Sequence, residues 1–124
     1  MESESKHKKY FDLAKKLSLK SNYCFKIGAV VVKKGKILGL GVNNPFKTHP
    51  KSTNPFKTVH AELDAILDSN PDDLRGATIY VYREHKNGQP ACSKPCPHCH
   101  ELIRRCGIKK VCYTDYGSFK EFDL

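Results

Sequence analysis

The chain has 124 residues, 39% of them hydrophobic and 28% charged, a length that suits one domain and a composition close to that of soluble proteins. This argues against a disordered chain, and no apolar run approaches the roughly 18 residues of a membrane-spanning helix. Lysine and arginine number 22 against 13 aspartates and glutamates, so a formal net charge of +9 favours phosphate-bearing partners, either small nucleotides or nucleic acid. Residues 1–9 are charged and lack the apolar stretch of a signal peptide, so the expected location is cytoplasmic. The six cysteines are then expected to be metal ligands or small core residues and not a disulfide frame.

Residues 5–20 place Tyr10, Leu13, Ala14 and Leu17 at i, i+3, i+4 and i+7, the pattern of an amphipathic helix. Two apolar runs, 25–33 and 36–42, are joined through Lys34-Gly35 and read as a β-hairpin. A long loop over 43–58 repeats Asn-Pro-Phe-Lys-Thr at 44–48 and 54–58; loops of that length are more often functional than idle. A second helix is expected from Val59 to Asn70-Pro71, capped by Thr58, with Leu63, Ile66 and Leu67 on one face. Residues 77–83 read as a buried strand. A third helix starts around 95–97, carries Cys99, Leu102, Ile103 and Cys106 on its apolar face and stops at Gly107.

Residues 108–114 form a further strand, and a crossover helix between two strands makes them parallel. Only Asp115, Tyr116 and Gly117 separate that strand from the tail, 118–124, which leaves no space for another helix, so a terminal strand must return antiparallel. The expected architecture is a single α/β domain over residues 1–124, with a mixed sheet of about five strands and helices on both faces.

Three features carry chemistry: His60-Ala61-Glu62 at the start of the second helix, Pro95-Cys96-Pro97-His98-Cys99 at the start of the third, and Asn43 after the hairpin. Cys96 and Cys99 are three apart, so on a first helical turn both sulfurs can reach one zinc at about 2.3 Å. The positive end of the helix dipole and the metal both favour thiolate. His60 would supply a third ligand from the other helix, and three protein ligands leave one position open for water, as in catalytic zinc sites. Zinc lowers the pKa of such a water towards about 7, and Glu62, two residues beyond His60, could then move its proton. A His-x-Glu or a Cys-x-x-Cys alone is weak, but H-x-E followed by P-C-x-x-C is the signature of zinc deaminases.

On these motifs the chain resembles the cytidine and deoxycytidylate deaminase superfamily, from the hairpin at Phe25 to Thr114. The resemblance implies the three-layer fold of cytidine deaminases, with His60, Cys96 and Cys99 holding Zn2+ and Glu62 catalytic. It also implies release of ammonia from a cytosine-type base, and a homo-oligomer. The run 39–45 looks like the loop that offers an asparagine to the substrate sugar, which makes Asn43 a substrate contact and the Ala61 N–H a donor to the base. The antiparallel tail resembles the branch of free cytidine deaminases, whereas His60 and the Asn43 loop resemble the deoxycytidylate branch.

The preferred substrate is a small nucleotide or nucleoside, because one compact domain with no appended module suits a small ligand. Two rival functions stay open. One is a deaminase acting on single-stranded DNA or RNA, motivated by the net charge and by Lys47, His49, Lys51 and Lys57 interleaved with Phe46 and Phe56, a loop that could equally be solvated. The other is a non-catalytic zinc module built on Cys92, Cys96, Cys99 and Cys106. Otherwise Cys24, Cys92, Cys106 and Cys112 are expected to be core or loop thiols. His98 and His100 are expected on the rim of the pocket or in solvent, and Arg104, Arg105, Lys109 and Lys110 are expected to offset the dipole of the third helix.

Overall fold

A computed structural model describes residues 2–20, 26–43, 61–84, 93, 97–115 and 118–124. His60, Cys96, the loop 44–58 with its basic and aromatic residues, Thr58, Cys24, Cys92 and the side chain of His98 lie outside the described residues. In chain order the elements are α1 (Glu2–Ser18), β1 (Lys26–Lys33), β2 (Lys36–Val42), α2 (Ala61–Asp68), a 3-10 turn (Pro71–Asp73), β3 (Thr78–Glu84), α3 (Pro97–Arg105), β4 (Lys110–Asp115) and β5 (Ser118–Asp123).

The strands form one mixed sheet in the order β2-β1-β3-β4-β5. β1 runs antiparallel to both β2 and β3, β3 and β4 are parallel around the α3 crossover, and β5 returns antiparallel on β4, as the short connection required. The β1–β2 turn is Lys34-Gly35, both at positive φ (51° and 77°), the combination whose twist matches a two-residue hairpin.

Alternation along the strands divides the core in two. Ala29, Val31, Ile79, Val81 and Val111 pack under Ala61, Ala65 and Ile66 of α2 and Ile103 of α3. Val30, Val32, Tyr80, Tyr82 and Cys112 face α1 through Tyr10, Phe11, Ala14 and Leu17. Helices therefore cover both faces of the sheet. Phe11 joins this core from beside the apolar stripe expected of α1, while Leu13 is only partly buried. α2 ends at Asp68, short of the expected Asn70, because the Asn70 side chain instead caps the next turn, its Oδ1 accepting from the Asp72 N–H at 3.0 Å.

The placement of α2 follows from two glycines in the edge strand. A Cβ on Gly41 would collide with backbone atoms of Ala61 and Ala65, and one on Gly39 with Ala65 O and the Ser69 hydroxyl, so the helix lies directly on the β2 backbone. The outward N–H groups of this edge are covered as well. Leu40 N donates to Asp68 Oδ2 at 3.0 Å and Val42 N to Asp64 Oδ2 at 3.1 Å, two carboxylates one turn apart on α2. The first turn of α2 is thereby held over the end of β2, next to Asn43.

Candidate active site

Four residues singled out in the sequence gather at one end of the sheet, where β3 and β4 finish. Asn43 follows β2 and bonds to Ile27 at the start of β1, and β1 pairs Lys26 with Glu84 at the end of β3. Ala61 and Glu62 open α2 beside Gly41. Cys99 lies in the first turn of α3, whose far end meets the start of β3, where Gly76 N donates to Gly107 O at 2.8 Å. Gly107 at φ +85° stops the helix there, in the left-handed conformation that terminates many helices.

Glu62 is only 5% exposed and Cys99 1%. A buried carboxylate and a buried thiol, each in the first turn of a helix at the same end of one sheet, fit the chemistry of a metal site whose cation compensates both groups. Among the described residues no three metal-binding groups meet. Two of the three expected ligands, His60 and Cys96, lie outside them, His60 one residue before α2 and Cys96 one before α3.

Asn43 has a structural job. Its Oδ1 accepts from Ile27 N at 2.9 Å while its own N–H donates to Ile27 O at 3.2 Å, so the side chain imitates one more rung of the β1–β2 ladder. The orientation of this 7% exposed side chain is therefore set by the sheet.

Ser93 is the residue that sequence reasoning missed. The parallel register of β3 and β4 ends at Val81↔Tyr113, and Ser93 takes up the backbone groups beyond it. Its Oγ donates to Val81 O at 2.7 Å and accepts from Thr114 N at 2.7 Å and from Thr114 Oγ1 at 2.8 Å, while its N–H donates to Thr114 O at 2.8 Å. Only residues 94–96 separate this buried anchor from the start of α3 at Pro97. The signal available in the sequence was a small hydroxyl residue just ahead of Pro-Cys, which is too common to single out.

The other two thiols among the described residues, Cys106 and Cys112, pack with the core. Burial, reinforced by the Glu121 carboxylate, pushes the Cys112 thiol up to about 12, and burial raises Cys106. Cys106 follows Cys99 by seven positions at the far end of α3, about 10 Å along the axis. Sulfurs sharing one zinc must approach within about 4 Å, so Cys106 does not join Cys99 in a four-thiolate site. His100, expected on a pocket rim or in solvent, is partly exposed and stacks on Phe122 of β5, with ring centroids 5.5 Å apart and planes 6° apart. Arg104 and Arg105, beyond any effect on the helix dipole, both bond Glu101, at 2.6 Å and 3.0 Å; these hydrogen bonds hold its carboxyl down to about 2.

The family model described as "Cytidine and deoxycytidylate deaminase zinc-binding region" matches residues 4–115. The chain belongs to the cytidine and deoxycytidylate deaminase family and is an enzyme of the deaminase class. It is 35% identical over 108 residues to the deoxycytidylate deaminase of Mycobacterium phage D29, covering 71% of this chain and 77% of that one. The dCMP deaminase of cyanophage S-TIM5, in its apo form, superposes with a TM-score of 0.64 at 33% identity over 85% of this chain and 79% of that one; it has also been solved in complex with dCMP and dUMP. The cytidine deaminase of Burkholderia pseudomallei shares the fold, with a TM-score of 0.69 at 23% identity over 94% of this chain and 91% of that one.

Proposed function

We propose that this chain is a zinc-dependent hydrolase that converts the cytosine base of a small nucleotide, of the deoxycytidylate type, to the corresponding uracil with release of ammonia. The observation that carries this reading is the convergence of buried Glu62 and buried Cys99 on the first turns of two helices at one end of the sheet. Likeness to an enzyme solved with dCMP and dUMP supports the substrate class.

His60, Cys96 and Cys99 would hold the zinc, which when bound supplies Lewis acidity and makes water a competent nucleophile near neutral pH. Glu62 carries the protons. Its carboxylate takes one from the attacking water as the C4–O bond forms and hands it to ring N3. It then takes the remaining hydroxyl proton and gives it to the departing amine as the C4–N bond breaks, so that one water enters and one ammonia leaves. The Ala61 N–H, in the first turn of α2 where backbone N–H groups have no partner within the helix, would hydrogen-bond the base. Asn43, whose orientation is fixed by its hydrogen bond from Ile27 N, would contact the sugar. No helix among the described residues is long and apolar enough to cross a membrane.

An ammonia-release assay of the purified protein across cytidine, deoxycytidine, their monophosphates and single-stranded DNA and RNA tests the assignment. Turnover of a monophosphate that changes little between about 50 and 200 mM salt is expected, because few phosphate contacts are screened. Turnover confined to oligonucleotides, lost by orders of magnitude over that range, would replace this reading with a nucleic-acid deaminase.

A further inference from the structure

We infer that the opposite end of the sheet carries a second site, one that binds a compact phosphate-bearing anion. There a cavity of about 380 Å³ opens among Lys33 and Lys34 of the hairpin turn, Thr78 at the start of β3, Lys109 and Lys110 at the start of β4, and the ring of Tyr80. Its lining includes four lysines and no acidic residue.

The register explains why the lysines converge. Val32 pairs with Thr78, and Thr78 pairs with Lys110, so the two lysine pairs stand at the same level on either side of β3. Strands lie about 4.8 Å apart, which puts the two flanking backbones about 10 Å from each other, a span that flexible lysine side chains can close from both sides around one phosphate or diphosphate. Lys110 also meets Glu121 at 3.8 Å, and Asp123 is its partner on β5. Four ammonium groups around one concavity repel each other, and a multivalent anion relieves that repulsion. The volume falls in the range of small-molecule sites, and its lining is confined to the hairpin end of the sheet and Tyr10 of α1, whereas a polynucleotide needs a groove that continues along its backbone. β3 spans seven residues, so this site lies about 20 Å from the Ser93 end of the molecule. It stands independently of the deaminase assignment.

Isothermal titration of the full-length protein with inorganic tripolyphosphate tests it, with ATP as a nucleotide probe that offers no cytosine. We expect one tripolyphosphate per chain, an affinity at least tenfold weaker in the Lys34→Glu/Lys109→Glu variant, and less than a twofold loss in Lys15→Glu/Lys16→Glu, which makes the same charge change on exposed positions of α1. ATP binding that is also lost in the first variant upholds the site; affinity above that of tripolyphosphate assigns it to nucleotides, and equal affinity to the phosphate chain alone. Equal losses in the two double variants, or no heat with wild type at millimolar tripolyphosphate, would overturn it. So would a single-stranded oligonucleotide that binds wild type more tightly than either probe and depends on Lys34 and Lys109.

Discussion

Glu62→Gln is expected to lower turnover by about 10²–10⁴-fold, the range for loss of a positioned general acid–base group, while leaving zinc content and melting temperature close to wild type. Glutamine has the shape of glutamate and can hydrogen-bond, so the 5% exposed site is neither emptied nor overfilled. What it lacks is the ability to accept a proton and pass it on. Steady-state ammonia release at saturating substrate, alongside metal analysis, distinguishes this from a folding defect. A variant that works within about threefold of wild type would remove Glu62 from the reaction, since even the weakest general-base contribution exceeds that.

Gly41→Ala is expected to cost about 3 kcal/mol, the upper end of the overpacking range, because the added carbon meets the backbone of Ala61 and Ala65 and not a side chain that can turn away. For a chain of this size that corresponds to a fall in melting temperature of roughly 10 °C. Gly35→Ala is the control. It has open space around it but a φ of +77°, so only the left-handed penalty of about 1 kcal/mol applies. Urea denaturation of the two variants compares them directly; equal destabilisation would contradict the backbone contact between α2 and β2. Because Ala61 and Glu62 ride on that contact, activity in any folded Gly41→Ala protein should fall by more than stability alone explains.

The parts of the fold that could be read from the sequence are those set by local rules. α3 follows from a 3.6-residue apolar period with proline before it and a glycine after it, and the structure buries Cys99 and Ile103 and turns the chain at Gly107 as that pattern requires. The antiparallel β5 follows from a connection too short for a helix. What escaped depends on partners far along the chain. Ser93 anchors to Val81 and Thr114, 12 and 21 positions away, and nothing in its neighbours announces either bond. Asp64 and Asp68 look like ordinary surface acids until the uncovered edge of β2 is placed beside them. His100 meets Phe122 only because β5 folds back beside α3. In the candidate site, spacing to other motif residues singled out Glu62 and Cys99, and both are buried in first helical turns, whereas the carbonyl of Asn43 serves the sheet, a role that spacing does not reveal.

The most direct measurement is the zinc content of wild type, Cys99→Ser and Cys106→Ser after exhaustive dialysis against metal-free buffer. One zinc per chain is expected in wild type and Cys106→Ser, with most of it lost from Cys99→Ser, since of these two cysteines Cys99 stands at the start of α3 and Cys106 beyond its far end. Wild type that retains no zinc, or zinc that survives loss of Cys99 but not of Cys106, would contradict the account.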